Sequence, residues 1–481
     1  MRFYQKHILF LTLFFCLFLH ATSEVSGIEN DIPCLKLYLN DGGRNMSDTP
    51  LVVEQINQYI EPILGFHVDI EYLSAANYDR ILGQKFLSGE NFDILYCNTF
   101  DSAKIYQSEG WLFPIHDQIL KNLPAFSDLF SDEYLSRLKI GDILYVLPCY
   151  HEQAGCWGLE YNADIADACG LDMSQIKSYR DLTAVFETVA EKYPDIFPVA
   201  ETLFPLWDPL GDELGVLTDI SSPTVTDLYS SDFFKTLVKQ NYEWYQAGYV
   251  LDTVSYPASS IDYLSSGLVF GTIAAGKPDV ISQESRITGI RIGYLPLSET
   301  FSINDNISRG FFAINSKSSQ AEYALRFLNF MYSDQTLANL MTYGIEGVHY
   351  EFKDEAHTLI GFPDHVDCTT SHYAKLLSWQ CGSQILTYPW IGDAPDVWEQ
   401  LKTFNQTAHS SVALGFTFDP TSVSKQIENC QNIQATYRDA LIQGQLDPDI
   451  YLPRFQSELK QAGINEIIAE KQRQLNAFLK K

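Results

Sequence analysis

The chain has 481 residues, of which 46% are hydrophobic and 19% charged, and its formal net charge is −29 at pH 7. This length exceeds one ordinary hydrophobic core and predicts two or three domains, and the composition is that of a folded protein, not a disordered one. Because an acidic surface repels phosphate backbones and anionic lipid head groups, nucleic acids and membrane surfaces are not expected as partners.

The first 23 residues have the layout of a secretory signal peptide. Arg2 and Lys6 precede an apolar run over residues 8–19, and small residues follow it. Cleavage after Ser23 removes two basic residues and no acidic ones, so 30 basic minus 61 acidic residues give a charge of −31. The protein is expected to be exported, extracellular or associated with the cell envelope. A lipid anchor at Cys16 is an alternative that we do not favour, because phenylalanines precede it where a lipidation site needs small residues.

Beyond residue 33 the apolar pattern alternates between strands and helices. Strands are predicted at residues 35–39, 68–72 and 92–96, and helices at residues 49–64 and 78–87. This β-α-β-α-β order predicts an α/β fold with a parallel sheet, whose ligand site lies beyond the carboxyl ends of the strands. Asp41 and Asn98 follow the first and third strands, so we expect them at that edge, although both loops can equally be turns and helix caps.

Residues 145–162 combine a short apolar strand, a polar and aromatic loop, and a second strand. Pro148 cannot donate to a sheet ladder, so the first strand, residues 144–147, is expected to stop there. Tyr150 and Trp157 lie at the ends of the loop, and flat apolar rings with polar neighbours suit the wall of a ligand cleft. This stretch is predicted to form the hinge and floor of a two-lobed binding protein.

The remainder of the chain continues the α/β pattern and ends in helices. Residues 163–169 lead to a turn at residues 170–172. Helices are predicted at residues 179–192, 233–247, 321–332 and 334–343, strands at residues 269–274, 291–295 and 310–314, and a mostly helical tail over residues 422–481. Five prolines punctuate residues 194–223, an irregular region that contains Trp207. Long loops in compact domains are often functional.

Two sequence patterns resemble cofactor sites but are incomplete. Residues 271–277, GTIAAGK, match a nucleotide-binding P-loop until Pro278, where that loop needs Ser or Thr. His365, Cys368, His372 and Cys381 have spacings that fit no paired zinc motif. No cofactor or metal is therefore expected.

The eight cysteines that follow the signal segment permit disulfides in an exported chain. Cys149 with Cys156 and Cys368 with Cys381 are the pairs closest in sequence. Isolated buried thiols are the alternative.

Aromatic residues make up 14% of the chain, and several lie in irregular segments. Sugar rings stack their C–H faces on Trp and Tyr, while their hydroxyls need carboxylate, amide and guanidinium partners. Core packing is the alternative for each ring. The candidates for ligand contact are Trp111, Tyr150, Trp157, Trp207, Tyr388 and Trp390.

Several motifs occur together along the chain. They are WGLEYN at residues 157–162, IKSYRDL at 176–182, AEYALRFLNFMYSD at 321–334, YGIEGVHY at 343–350, GFTFDP at 415–420, and the tail from YLP at 451–453 to residue 474. On these motifs the sequence resembles the bacterial extracellular solute-binding proteins of ABC importers, family 1, in particular a lipoprotein-type subgroup with a C-terminal domain of unknown function.

The resemblance implies a periplasmic-binding-protein type II fold, in which two α/β lobes joined by hinge strands close over a ligand. It implies a protein that captures a sugar or oligosaccharide and delivers it to an ABC-type permease, acting as a monomer and not as an enzyme. The loops at Asp41 and Asn98, the stretch around Trp157, the region near Trp207, and the segments of Arg309 and Glu346 would line the cleft. Residues 158–162 would form the first crossing between lobes.

On this basis we expect a discontinuous N-terminal lobe, residues 34–157 and 296–345. The C-terminal lobe would comprise residues 158–295 and 346–481 and include a helical C-terminal region. A secreted polysaccharide-acting enzyme, whose chemistry needs only two carboxylates across a cleft, remains an alternative. A sensor subunit that presents its ligand to a membrane receptor is another, with the same fold.

Overall fold

A computed structural model describes residues 32–253, 258–373 and 378–480. The predicted signal peptide, residues 1–23, and the alternative anchor at Cys16 lie outside these ranges. Within them, no helix has both the length and the apolar character needed to cross a bilayer.

Two sheets organise the fold. Their strands are β1 (Cys34–Asn40), β2 (His67–Leu73), β3 (Ile94–Thr99), β4 (Leu147–Pro148), β5 (Cys156–Asn162), β6 (Phe197–Val199), β7 (Val269–Gly276), β8 (Ile292–Pro296) and β9 (Arg309–Ile314). Two-residue strands form three further ladders: Lys139–Ile140 with Ile143–Leu144, Phe301–Ser302 with His409–Ser410, and Glu351–Phe352 with Ile360–Gly361.

Helices cover both sheets. The longer α-helices are Thr49–Leu64, Tyr78–Ser88, Phe100–Ser108, Ala163–Cys169, Leu182–Lys192, Asp232–Gln246, Val280–Thr288, Ala321–Met331, Gln335–Tyr343, Val397–Thr407, Ser424–Ile442, Pro448–Ala462 and Ile464–Phe478.

The first sheet has the strand order β2-β1-β3-β9-β4, and we call it with its helices the first lobe. Strands β1, β2 and β3 are parallel, as the sequence predicts, whereas β9 runs antiparallel to both β3 and β4. Helix Thr49–Leu64 has a proline in its first turn, where a missing N–H costs nothing, and ends at Gly65 in the left-handed conformation. Its buried side chains, Val52, Ile56 and Ile60, pack in the core of this lobe.

The second sheet has the strand order β8-β5-β7-β6, and we call it with its helices the second lobe. Strand β5 pairs antiparallel with β7 and β8, and β6 pairs parallel with β7. The core of this lobe includes Phe186 and Trp244, together with Phe455 from the C-terminal helices. The three helices between Ser424 and Phe478, which we call the C-terminal helices, therefore complete the second lobe.

The predicted strand at residues 144–147 is wrong. Two short strands occupy this region, Ile143–Leu144 and β4, and Pro148 lies inside β4, opposite Phe311. Because β4 is the edge of the first sheet, it has a neighbour on one side only, which is where a proline is tolerated.

The chain passes from the first sheet to the second through residues 149–155 and returns through residues 297–308. Strand β5 pairs along its whole length within the second sheet, so the first crossing precedes residues 158–162. Beyond residue 345 the chain contributes to both lobes, since Tyr373 and Cys381 pack in the first core. The exact domain boundaries remain a prediction.

All eight cysteines in the described part of the chain are free thiols. Seven are buried or partly buried, and Cys34 is exposed. The alternative of isolated thiols therefore describes this structure, and the pairs closest in sequence are not bonded.

Candidate functional site

A cavity of about 510 Å³ opens between the two lobes. Its floor is the first crossing, from His151 to Gly155, and Trp157 and Trp207 lie on the side of the second lobe. Arg309, at the start of β9, and Trp379 line the opposite side. This volume falls within the range of about 300–1,000 Å³ that is usual for ligand pockets.

Three tryptophans give the cavity flat apolar surfaces. Trp157 is the second residue of β5 and is half-buried, and its backbone N–H donates to Ser298 Oγ at 2.7 Å. Trp207 is buried and packs edge-on against Phe233, at 5.9 Å between ring centres. Trp379 stacks on His151, with ring centres 4.7 Å apart and an angle of 20° between the planes.

The stacked pair also brings hydrogen-bonding capacity to the cavity wall. His151 Nε2 contacts the carbonyl oxygen of Arg309 at 3.0 Å. His151 Nδ1 and Trp379 Nε1 are buried and make no hydrogen bond within the described residues, and a carboxylate oxygen of Glu152 lies 3.7 Å from His151 Nδ1. Buried polar atoms are nearly always paired, so these two nitrogens are suited to contact a bound ligand or water.

A buried ion cluster stiffens the floor. Lys277 Nζ lies 3.4 Å from a carboxylate oxygen of Glu152 and 3.4 Å from one of Asp279. Burial opposes the charged form of Glu152, but Lys277 prevails and lowers the pKa of this carboxyl to about 2. The positive charge of Lys277 is therefore paired with two carboxylates of the protein itself.

The strand pairing within residues 271–277 shows that this segment is not a P-loop. Strand β7 extends through Gly276 and pairs with β5 up to that residue, so the segment is a strand and not a phosphate-binding loop.

Two further carboxyl groups lie close together in the second lobe, and one of them, Glu284, lines the cavity. Burial raises the pKa of Glu284. Glu160 on β5 is 5% exposed, and burial together with the nearby Glu284 raises its pKa to about 8. Each has one buried oxygen without a partner among the described residues. The carboxyl group of Glu284, which lines the cavity, can accept hydrogen bonds from ligand hydroxyl groups.

The loop formed by residues 203–213, which we call the cleft loop, contributes Leu203, Trp207 and Glu213 to the cavity. Leu210 and Glu213 adopt positive φ values of 47° and 60°, which are costly for residues other than glycine. Such conformations persist only where surrounding contacts hold them.

Those contacts come from the C-terminal helices. Arg438 binds both carboxylate oxygens of Glu213, at 2.5 and 3.0 Å. The buried Lys471 ammonium contacts Asp212, and Gln434 Nε2 donates to the Asp212 carbonyl oxygen at 3.2 Å. The cleft loop is therefore held in place by the first and third of the C-terminal helices, which lie more than 200 positions away in the sequence.

Of the ten residues predicted to line the cleft, the structure brings Trp157, Trp207 and Arg309 together around the cavity. The other seven do not line it. Asp41 and Asn98 serve local structure: Asp41 Oδ1 accepts from the N–H groups of Gly43 and Ala75, and Asn98 Oδ1 accepts from Asn40 Nδ2.

The remaining predicted aromatics pack elsewhere. Trp111 stacks on Phe86 at 4.5 Å, and Tyr150 is buried in the first core against Phe130. Trp390 and Tyr388 belong to a separate cluster with Tyr350, and Glu346 is exposed beside it. The role of these seven as ligand contacts remains a prediction that this geometry does not support.

The sequence reasoning missed Trp379, Lys277 and Asp305, which also line the cavity. Trp379 had the same signal as the chosen tryptophans, an aromatic residue in an irregular segment. Lys277 belongs to the P-loop-like pattern, which gives no signal for a place in an interlobe cavity. In the described ranges, no group of three or more His, Cys, Asp or Glu side chains is arranged to hold a metal ion.

The sequence model of the bacterial extracellular solute-binding proteins matches residues 58–338 of the chain. The model of a domain of unknown function (DUF3502) matches residues 412–480. A carbohydrate ABC transporter substrate-binding protein of Streptococcus pneumoniae serotype 4 is 25% identical over 482 aligned positions, which cover 96% of this chain and 94% of that protein.

Solved structures are similar over nearly the whole chain. The N-glycan transport solute binding protein NgtS of Streptococcus pneumoniae superposes with a TM-score of 0.82 at 23% identity, covering 93% of this chain and 99% of that one. Its complex with Man1GlcNAc gives 0.74 at 22% identity, over 93% and 100% of the two chains. Its complex with Man5GlcNAc gives 0.69 at 23% identity, over 93% and 99%. At this level of identity the likeness establishes the fold.

Proposed function

The chain belongs to the bacterial extracellular solute-binding proteins, and from this premise we propose that it captures a sugar or oligosaccharide in the cavity between its lobes. It then delivers the ligand to the permease of an ABC-type importer. The observation that carries the proposal is the grouping of three tryptophans with Arg309, His151 and buried carboxyl groups around one interlobe cavity. Rings and polar groups in this combination match the apolar faces and hydroxyls of a sugar.

The names of similar proteins support this ligand class. The curated relative is a carbohydrate ABC transporter substrate-binding protein, and NgtS has been solved with two glycans. We propose an oligosaccharide ligand here as well, without transferring either glycan to this chain.

Capture would work by closure of the lobes. Trp157 and Trp207 lie on the second lobe, while Arg309 and Trp379 lie on the opposite side of the cavity. A ligand that touches both sides binds the closed arrangement better than the open one, and this difference in affinity drives closure.

The proposal also covers where the protein acts, its oligomeric state and its partner. We propose an exported, monomeric protein that meets its permease at the membrane and performs no turnover. A polysaccharide-acting enzyme would release reducing ends from its substrate, whereas a binding protein returns the ligand unchanged. A sensor subunit would bind in the same way but would dock on a receptor in place of a permease.

The test is a thermal-shift screen of the purified mature chain. The panel contains Man1GlcNAc, Man5GlcNAc, and the disaccharide and hexasaccharide of the malto-, cello-, xylo-, manno- and fructo-series, with peptides and polyamines as other solute classes. We expect at least one carbohydrate to raise the melting temperature, since a ligand at 100 times its Kd stabilises by about 2.7 kcal/mol. A response to peptides or polyamines alone would contradict the carbohydrate assignment, and release of reducing ends would contradict a pure binding role.

A further inference from the structure

A second cavity, of about 360 Å³, lies beside the first between the same two lobes. Helix Phe100–Ser108 lines one side through Phe100, Asp101 and Lys104. The other side is formed by residues 415–420 and by Gln431 on helix Ser424–Ile442. These residues lie within the matched domain of unknown function, residues 412–480.

The two cavities are neighbours and share their boundary. Asp305 lines both of them. The cleft loop also divides its side chains between them, since Trp207 and Glu213 line the first cavity and Leu210 and Asp212 line the second. A chain-like ligand that leaves the first cavity past Asp305 would therefore enter the second without turning away from the protein.

Like the first cavity, the second cavity is lined by both aromatic and polar side chains. Phe418 is half-buried and offers apolar ring surface, whereas Phe100 is buried beneath Lys104, whose Nζ lies 4.9 Å from its ring centre.

Asp101 and Gln431 are exposed at opposite walls, and the half-buried Arg137 also lines the cavity. Asp101 pairs with Lys104 at 2.9 Å and Arg137 with Glu133 at 2.6 Å, and these surface ion pairs leave further donors and acceptors open to a ligand. Carboxylate, amide and guanidinium groups are the partners that sugar hydroxyls need. The volume is above the lower limit of about 300 Å³ that is usual for ligand pockets.

From this geometry we infer that the C-terminal domain completes a second subsite, which holds further units of an oligosaccharide whose first units occupy the tryptophan-lined cavity. This inference rests on the proposed function and extends it. It assigns the protein to ligands longer than a disaccharide, and it gives the domain of unknown function a direct part in ligand binding.

The test compares short and long members of the same carbohydrate series by isothermal titration calorimetry. The probes are Man1GlcNAc with Man5GlcNAc, and the disaccharide with the hexasaccharide of each series in the screen above. We expect the longer member of the responding series to bind at least tenfold more tightly to the wild-type chain. Gln431→Ala and Asp101→Ala, one on each wall, should each remove most of this gain and leave the affinity for the short member unchanged.

Asn432→Ala is the matched control, because Asn432 is exposed on the same helix and does not line the cavity. It should change neither affinity. Both test positions are exposed, so the variants are expected to fold, and their melting temperatures check this.

The outcomes separate this inference from the proposed function. Binding of short and long members with equal affinity, or a length gain that both variants retain, overturns the second subsite and leaves carbohydrate binding intact. A long member that binds less tightly than the short one also overturns it, because the additional sugar units would then make no favourable contacts in the second cavity. No response to any carbohydrate overturns the proposed function and the subsite with it.

Discussion

Trp157 and Trp111 are both half-buried tryptophans, and both are candidates on sequence grounds, but they differ in what they contact. Trp157 lines the interlobe cavity, whereas Trp111 lies outside it and stacks on Phe86. Substituting each tryptophan in turn therefore distinguishes a ring that contacts the ligand from a ring that only packs in the core.

Trp157→Ala should weaken ligand binding more than it weakens folding. Loss of one stacking face is worth about 0.5–1.5 kcal/mol, and 1.4 kcal/mol is tenfold in affinity. Trp111→Ala should lower the melting temperature and leave affinity unchanged. Calorimetry with the responding carbohydrate and thermal unfolding of both variants provide the check, and unchanged affinity in Trp157→Ala would assign that ring to packing alone.

Glu160 offers a pH test of the buried carboxyl groups. Burial, with the neighbouring Glu284, raises its pKa from 4.5 to about 8, so the folded chain keeps a proton that the unfolded chain releases above about pH 4.5. Unfolding then releases a proton between these two pH values, and the free energy of unfolding falls as pH rises, by at most about 1.4 kcal/mol per pH unit.

Glu160→Gln should remove that slope and make the protein more stable than the wild type near pH 8. The neutral amide has nearly the shape of the protonated carboxyl and needs no proton. Glu187→Gln is the control, because Glu187 is exposed on helix Leu182–Lys192. Urea unfolding at pH 5, 6.5 and 8 measures the difference, and parallel pH curves for the wild type and Glu160→Gln would contradict a proton on Glu160.

At the scale of elements, local patterns predicted most of the fold and little of the site. The sequence predicts helix Thr49–Leu64 with the bounds that the structure has, because its apolar period and the proline in its first turn are local signals. It also predicts the end of β5 at Asn162. The cleft loop has no such signal. Its residues Glu213 and Asp212 pair with Arg438 and Lys471, more than 200 positions away, and a single sequence contains no information on that pairing.

Arg438→Met tests whether the C-terminal helices hold the cleft loop in place. The change leaves the partly buried Glu213 carboxylate without its two-pronged partner and should cost about 1.5–3 kcal/mol of stability. It should also weaken ligand binding, because Glu213 lines the cavity. Hydrogen exchange should become faster over residues 207–215 before it does in the cores.

Arg473→Met is the matched control for that variant. Arg473 pairs with Glu470 on the last helix, but its side chain is 67% exposed, and such surface pairs contribute about 0–1 kcal/mol. If both variants changed exchange in the cleft loop equally, the bracing role of Arg438 would be wrong.

At the scale of the whole molecule, residues 413–418 contact both the first lobe, at Lys104, and the return crossing between the lobes, at Asn304. Lys104 Nζ donates to Thr417 Oγ1 at 3.4 Å, and Asn304 Nδ2 donates to the carbonyl oxygens of Ala413 and Phe416 at 3.2 and 2.9 Å. Gly415 lies between them, with φ of +87°. These contacts border the second cavity, so the spacing of the lobes and the shape of the binding site depend on the same few residues.

Gly415→Ala should therefore open the cleft. An added Cβ would lie 2.7 Å from Arg137 Cγ and 2.8 Å from its Cβ, atoms too close to the backbone of the first lobe to swing aside. Gly248→Ala is the control, because Gly248 has a similar φ of +78° and no atom within 4 Å of an added Cβ. Both variants should lose about 1–3 kcal/mol through backbone strain. Only Gly415→Ala should also show a larger radius of gyration by small-angle X-ray scattering without ligand, and a lower affinity, because part of the binding energy must then bring the lobes back together. Equal scattering by the two variants would mean that contact between Gly415 and Arg137 does not set the lobe spacing, and that closure is governed by the crossing segments alone.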